Sequence, residues 1–253
     1  MVHRDYSVDG MVSVNFTGDK LIITSPGTFY GGVTAENIAK HEPRHRNKSL
    51  AKMLMEYHLV DRAGMGVLRM SVSSLRYGRN FPTFAQRGDS IEVAMEARYI
   101  RPGVFVIAND GKRTYGISDL LILNSVFEKG YVGVPALRKQ LSKVDDNAWD
   151  SIISSVESLD CVELCGTKDG LYVRVVSHWN TVLNVQKSFR ITKVSKKHVE
   201  LYQFLFRHGK ASNADIKAHL GHKHTSQTSA FLKTAAYAKR SGRGPSAVWS
   251  LVE

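Results

Sequence analysis

The sequence predicts an α+β chain, and three observations carry that reading. Two strand-like runs, Met11–Thr17 and Lys20–Thr24, stand ahead of the first helical pattern. Helical and strand periods then follow one another through the rest of the first segment, residues 1–105. One grammar, three helices followed by a hairpin, occurs over about 115–177 and again over about 190–253.

In the first segment, Gly18-Asp19 between the two runs suits a tight hairpin turn. Ser25-Pro26-Gly27 is expected to break the second strand. Thr34 is placed to cap a short helix from Ala35 to about Lys40, and HEPRHRNKS forms a polar, basic loop around Pro43. Leu50, Met53, Leu54 and Tyr57 recur at i, i+3, i+4 and i+7, which predicts a helix with that face buried. A second helix is expected after Gly66, and Ile91, Val93 and Met95 alternate as a closing strand.

In the second segment, ISDLLILNSVF is apolar enough for a buried helix, VPALRKQL is a short helix with Pro135 near its first turn, and NAWDSIISSVESL is a third. CVELCGTKDGLYVRVV then reads as two strands around Lys168-Asp169-Gly170. In the third segment KKHVELYQFLFRHG is the first helix, stopped by Gly209. SNADIKAHLG is the second, with Ser212 and Asp215 in capping-box spacing. HTSQTSAFLKTAAYA is the third, with Phe231, Ala235 and Ala238 expected on its buried side, and a glycine-rich tip leads to a terminal strand with Val248, Trp249 and Leu251. Both segments resemble the winged helix-turn-helix pattern. The repeat is one of architecture rather than of sequence.

A chain of 253 residues, 43% hydrophobic and 23% charged, can bury a sizeable core across two or three small domains. No window approaches the roughly 18 uninterrupted apolar residues of a membrane span, and no apolar leader follows Met1, so a cytoplasmic protein without a membrane partner is expected. Cys161 and Cys165 lack a second pair, so reduced structural thiols are expected and no metal site.

The formal charge of +12 is unevenly spread. Lys+Arg against Asp+Glu is 16 against 11 in residues 1–116, 6 against 9 in 117–180 and 13 against 3 in 181–253, giving +5, −3 and +10. So one-sided a terminal segment points to a polyanion, with double-stranded DNA the first candidate. A helix-turn-helix lays the start of its third helix toward base edges while the wing contacts phosphates. Here those positions are Lys223, His224, Thr225, Ser226, Gln227 and Thr228, with Lys233 further along and Lys239, Arg240 and Arg243 on the wing. The same surface on a protein-binding winged helix would be a solvated face. The earlier copy has Asp145, Asp146 and Asp150 at the equivalent helix start, which would repel phosphates, so a dimerisation or spacer role fits it better.

DRAGMGVLRM places Gly64 and Gly66 before a helix. Alone, such a G-x-G is weak and can simply join two helices. HRDYS, LIITSPGTF, VTAENI and RNKSLAKMLMEYHLVDRAGMGVLRM, in this order, resemble the C-terminal region of transcriptional regulators similar to the ATP-dependent DNA helicase RecG. That region is similar to a divergent GHKL ATPase fold. The resemblance covers about residues 1–95 and implies a truncated GHKL-like α/β sandwich. In that family HRDY closes a helix whose earlier turns hold a glutamate and a metal-binding asparagine, so this chain is expected to begin after them. It also implies that Gly64, Gly66 and Gly27 stand on a nucleotide site whose adenine-reading aspartate is replaced at Ser25-Pro26-Gly27. With no carboxylate to orient water and no asparagine to hold magnesium, no catalytic residue, no turnover and no obligatory cofactor are expected, ATP being the one candidate ligand.

The expectation is a prokaryotic, cytoplasmic, homodimeric DNA-binding transcriptional regulator that is not an enzyme, with a degenerate GHKL-like domain in a structural, dimerisation or effector role. The rival is an ATP-binding regulator or helicase accessory whose nucleotide site is completed upstream.

Overall fold

A computed structural model describes residues 2–60, 64–176, 195–242, 244 and 247–252. It divides into two compact units, Met1–Glu128 with Arg138–Ser155, and Lys129–Leu137 with Val156–Glu253. Helices and antiparallel sheets occur in both, as an α+β chain requires.

The first unit is built on a four-stranded antiparallel sheet of order β1-β2-β4-β3, with β1 Ser13–Phe16, β2 Lys20–Pro26, β3 Thr83–Arg87 and β4 Ser90–Glu96. The Gly18-Asp19 turn forms as predicted, with Gly18 at φ +85°. Strand β2 is not broken at Ser25: it stays in register with β4 through Ser25↔Ile91 and Pro26↔Ser90. The Pro26 carbonyl accepts the Asp5 amide at 2.9 Å, so that edge of Pro26 points away from β4 and its missing N–H takes nothing from the ladder.

Helix α1, Lys48–Glu56, forms where the periodicity places it, with Leu50 and Leu54 of the expected face half-buried and the rest of that face turned out. Ala51 is buried, whereas Met53 and Tyr57 are 47% and 70% exposed. The segment from Ala35 to Lys40 is a run of turns rather than a helix. Thr34 caps the segment as expected, since it and Asn37 bond each other reciprocally, side chain to backbone amide, but the i→i−4 bonds that follow, Ile38 to Thr34 and His41 to Asn37, are not consecutive and no helix propagates. Helix α2, Gly66–Arg76, follows as expected; α3, Pro102–Ala108, was not legible as a helix. Helix α4, Ile117–Lys129, is buried along most of its length, and Asn124 within it donates to the carbonyls of Leu75 and Leu120 at 2.9 and 2.8 Å.

After α4 come β5 Tyr131–Gly133, α5 Val134–Leu141, α6 Ala148–Ser158, β6 Val162–Thr167 and β7 Gly170–Val175. Then come α7 Lys196–His208, β8 Ala211–Ser212, α8 Asn213–His219, α9 Thr225–Thr234, β9 Ala238–Ser241 and β10 Val248–Leu251. Counted from α4 and from α7, the element order is the same: helix, short strand, two helices, two strands. The sheets repeat as well, β5-β7-β6 and β8-β10-β9, with the last strand central each time.

In the second unit α7 lies against β6 and β7 on one side and against β10 and α8 on another. Gly166 on β6 makes this contact close, because a Cβ there would stand 2.7 Å from the Val199 amide nitrogen and 2.8 Å from the His198 Cβ. Leu201 and Leu205 of α7, Ile216 of α8 and Leu232 of α9 are fully buried. Helix α9 therefore turns Thr228 and Leu232 inward, with Phe231 only half-buried, and it ends at Thr234 before Ala235 and Ala238.

Candidate functional site

The second unit carries a groove of about 930 Å³ bounded by α8, the start of α9, and the β9–β10 hairpin. Among the described residues four cations line it: Lys217 from α8, Lys223 from the loop before α9, Lys233 from the end of α9 and Arg240 from β9. No carboxylate lines it among the described residues. None of these four forms an ion pair within 4 Å among the described residues. Asp215, the nearest acid in sequence to Lys217, is held in the capping box at the start of α8, where its carboxylate accepts the Ser212 amide and hydroxyl. Those Ser212 bonds are the main cause that holds its carboxyl below the usual range.

The groove floor is shaped locally. Helix α8 ends at His219, and Gly221 at φ +63° takes the left-handed conformation that reverses the chain toward α9. His222 follows, buried, with its Nδ1 3.0 Å from the Thr228 hydroxyl oxygen. Burial, then the charge of Lys197, keeps the His222 imidazole below its ordinary pKa. His224 is the N-cap residue of α9 but makes no side-chain cap bond, and no acidic residue stands in the first turn. The Gln227 and Thr228 amides donate to the His224 carbonyl at 3.2 and 3.4 Å, and those of Thr225 and Ser226 are left to an outside acceptor.

Of the residues singled out in the sequence, Lys223, Thr225, Lys233 and Arg240 meet in the groove. His224, Ser226 and Gln227 are exposed around the same helix start but outside its lining. Lys239 is exposed beside Arg240, and successive strand residues face opposite ways, so it does not line the groove. Thr228 is fully buried and serves the core instead of a surface. Arg243 lies outside the described residues. Lys217 and Trp249 belong to the groove and were not anticipated. At the start of α6, Asp145 and Asp146 are engaged locally in the first unit, Asp145 with Ser151 and Asn147, and Asp146 with Lys40.

The first unit holds a cavity of about 440 Å³ over one face of its sheet. Ile23, Ile91 and Val93 form the floor, α2 contributes Val67 and Met70, the 28–45 loop contributes Phe29, Tyr30, Glu42, Arg44 and His45, and His3 joins the polar end from the N-terminal stretch. Gly64 and Gly66 line it; Gly27 does not. Gly27 is instead fitted to Asp5, whose Cβ would stand 2.6 Å from a Cβ at that position. Gly64, at φ +62°, is fitted to Pro43 in the same way. The HRDY stretch is a hydrogen-bonded corner in which Asp5 pairs with Arg46 at 2.6 Å and with Ser7, while His3 stacks on His45.

Residues 9–95 match the family model described as "Putative ATP-dependent DNA helicase recG C-terminal". This RecG-like segment holds the whole sheet of the first unit and the glycine turn before α2. No curated protein matches the chain. Among solved structures the chain is similar to the DIP2311 protein from Corynebacterium diphtheriae, at 19% identity and a TM-score of 0.56, over 100% of this chain and 48% of that one. The chain thus spans about half the length of that protein, and the likeness is one of fold.

The described residues that line this cavity do not gather the cations and carboxylates that a magnesium–nucleoside triphosphate calls for. Arg44 is the one Lys or Arg lining the cavity among the described residues, and it faces Glu42 at 3.4 Å. Burial, then the nearby His45, lowers the pKa of His3, so this end does not gather positive charge. No set of three His, Cys, Asp or Glu side chains is arranged to hold a metal among the described residues.

Proposed function

We propose that the chain is a DNA-binding transcriptional regulator that grips duplex DNA with its second unit and carries out no catalysis. The observation that carries this is the groove in which Lys217, Lys223, Lys233 and Arg240 converge with no carboxylate between them. A cation array of this kind neutralises phosphates and releases their counterions, the main source of affinity for duplex DNA. The uncapped start of α9, with exposed Thr225, Ser226 and Gln227, offers amides to a phosphate and hydrogen-bonding side chains to base edges. The element order from α7 to β10 is that of a winged helix-turn-helix, in which α9 is the recognition helix and β9–β10 the wing. The same order from α4 to β7 makes a second such module, with an acidic helix start suited to a spacer or to protein contact.

The RecG-like segment serves as a structural, dimerisation or effector domain of degenerate GHKL type in a cytoplasmic regulator. A homodimer would set two recognition helices on successive half-sites. Strand β1, at the edge of the sheet with Val14 and Phe16 exposed, is the natural surface for it.

The test is a fluorescence-anisotropy titration of labelled duplex with the whole chain and with Lys217→Gln/Lys223→Gln/Lys233→Gln/Arg240→Gln. Loss of at least about tenfold in affinity supports the reading, and unchanged affinity excludes it. The match of residues 9–95 to a RecG-type family favours a second reading, an ATP-binding regulator completed by residues outside this chain. Retention of labelled ATP by the chain in magnesium would support that reading.

A further inference from the structure

We infer that two Arg-Tyr-x-Arg segments of the first unit, Arg76–Arg79 and Arg98–Arg101, together form a contact surface for single-stranded nucleic acid, with unpaired bases against their tyrosines and a phosphate among their arginines. The segments are remote in sequence and meet through the backbone. The Arg101 amide donates to the Gly78 carbonyl at 3.0 Å, and a Cβ on Gly78, which stands at φ +65°, would lie 2.2 Å from the Arg101 carbonyl oxygen. Only glycine permits so close an approach. The Tyr77 and Tyr99 rings are thereby set 5.8 Å apart, with Phe105 of α3 5.4 and 5.5 Å from them. The guanidinium of Arg79 stands 5.2 and 5.4 Å from the two tyrosine ring centres. Tyr77 and Tyr99 nevertheless remain 36% and 53% exposed. Aromatic rings held together, joined by a cation and left open to solvent make a stacking platform, and stacking tolerates any sequence because every base has a π-face.

Charge selects the partner. Neither Arg76 nor Arg79 has a carboxylate within 4 Å among the described residues. Arg98 is paired with Asp19, and both are exposed, so that pair is weak and open to exchange. Arg79 also lines a cleft of about 180 Å³ together with Asn80, Arg101 and Lys143, where Glu128 is the one carboxylate among the described residues. The Arg101 side chain is 9% exposed and is held by Asn80 at 3.0 Å and Glu128 at 3.2 Å, so its guanidinium is preorganised at the cleft. Three cations against one acid leave the cleft net positive, and at about 30 Å³ per water it has room for a phosphate group and its nearest waters. Bases and phosphates alternate along a single strand as tyrosine and arginine alternate along both segments. In a duplex the neighbouring pairs cover each base face, so the tyrosines select unpaired strands. This contact lies beyond the duplex grip proposed for the second unit and does not rest on it.

The test is a fluorescence-anisotropy titration of labelled oligo(dT) and oligo(rU), each of about twelve nucleotides, with the whole chain and with the chain carrying Lys217→Gln/Lys223→Gln/Lys233→Gln/Arg240→Gln, which silences the groove of the second unit. Saturable binding of at least one oligonucleotide is expected in both proteins, and the tighter of the two names the source as DNA or RNA. Tyr77→Ala/Tyr99→Ala is expected to weaken it at least about tenfold, whereas Tyr77→Phe/Tyr99→Phe, which keeps the rings, stays within about twofold of the parent. Arg79→Gln leaves the rings in place and is expected to make the slope of log affinity against log salt shallower by about 0.7, the share of one single-strand phosphate. Circular dichroism establishes that each variant is folded. The inference is overturned by an absence of saturable binding to either oligonucleotide, by its loss in the groove variant, by a folded Tyr77→Ala/Tyr99→Ala that binds like the parent, by a Phe variant as weak as the Ala variant, or by an unchanged salt slope in Arg79→Gln. Duplex affinity enters none of these readouts, so failure of the duplex reading is seen separately.

Discussion

The Nδ1 of His222 stands 3.0 Å from the hydroxyl oxygen of Thr228, and both side chains are buried. That contact ties the loop leaving α8 to the first turns of α9, so it fixes the angle at which the exposed start of α9 meets the groove. Thr228→Val removes the bond while keeping the shape, and should cost about 1 kcal/mol of stability, read in urea unfolding. Its effect on DNA affinity should be small beside that of neutralising Lys223, since the hydroxyl never reaches the surface.

Asn124 bonds two carbonyls, those of Leu75 and Leu120, and its own oxygen accepts from Arg101 at 3.4 Å. Asn124→Ala removes one of the two donors to the Leu75 carbonyl of α2, which keeps the Gly78 amide at 2.9 Å, and opens a gap where the buried amide stood. A loss of about 1–3 kcal/mol is expected by chemical denaturation, with no change in DNA affinity.

Burial, only partly offset by Asp169, holds the His198 imidazole below its ordinary pKa, and its Nδ1 meets the Tyr237 hydroxyl at 2.8 Å. With the folded value below the unfolded one, the unfolded chain binds the proton first as pH falls. This contribution to stability is complete above about pH 6.5 and is lost as pH falls from there through the lowered folded value. Melting temperatures measured from pH 8 to 5 should fall in that window, and less steeply in His198→Asn.

The Cys165 thiol is buried and is pushed up to about 11, chiefly by that burial. Its thiolate fraction at pH 8 is therefore about a hundredfold below that of a free cysteine. Iodoacetamide at pH 8 should leave Cys165 unmodified in the native chain and label it in denaturant, as mass spectrometry would read.

The local chemistry of the chain was legible. The Gly18-Asp19 hairpin and the Ser212–Asp215 capping box each depend on residues within a few positions of one another, and both formed where their residue types stand. Strands β5 and β8, of three and two residues, are too short to show alternation and were missed. The buried face of α1 was read half correctly: Leu50 and Leu54 turn inward, but Ala51, small enough for close approach, is buried where Met53 and Tyr57 are not. Of the groove cations, Lys223, Lys233 and Arg240 were visible as a basic cluster, whereas Lys217 sits on another helix and joins them only through the packing of α8 beside α9. Thr228 looked like its polar neighbours, and only the helix phase set by Leu232 shows that it points inward.

The most direct measurement of the DNA-binding account is the salt dependence of duplex affinity, compared between the chain and the variant with Lys217, Lys223, Lys233 and Arg240 changed to Gln. Each phosphate contact contributes about 0.9 to the slope of log affinity against log salt, so the variant's slope should be shallower by about 3–4. Parallel lines for the two proteins, with equal affinity at low salt, would contradict the account.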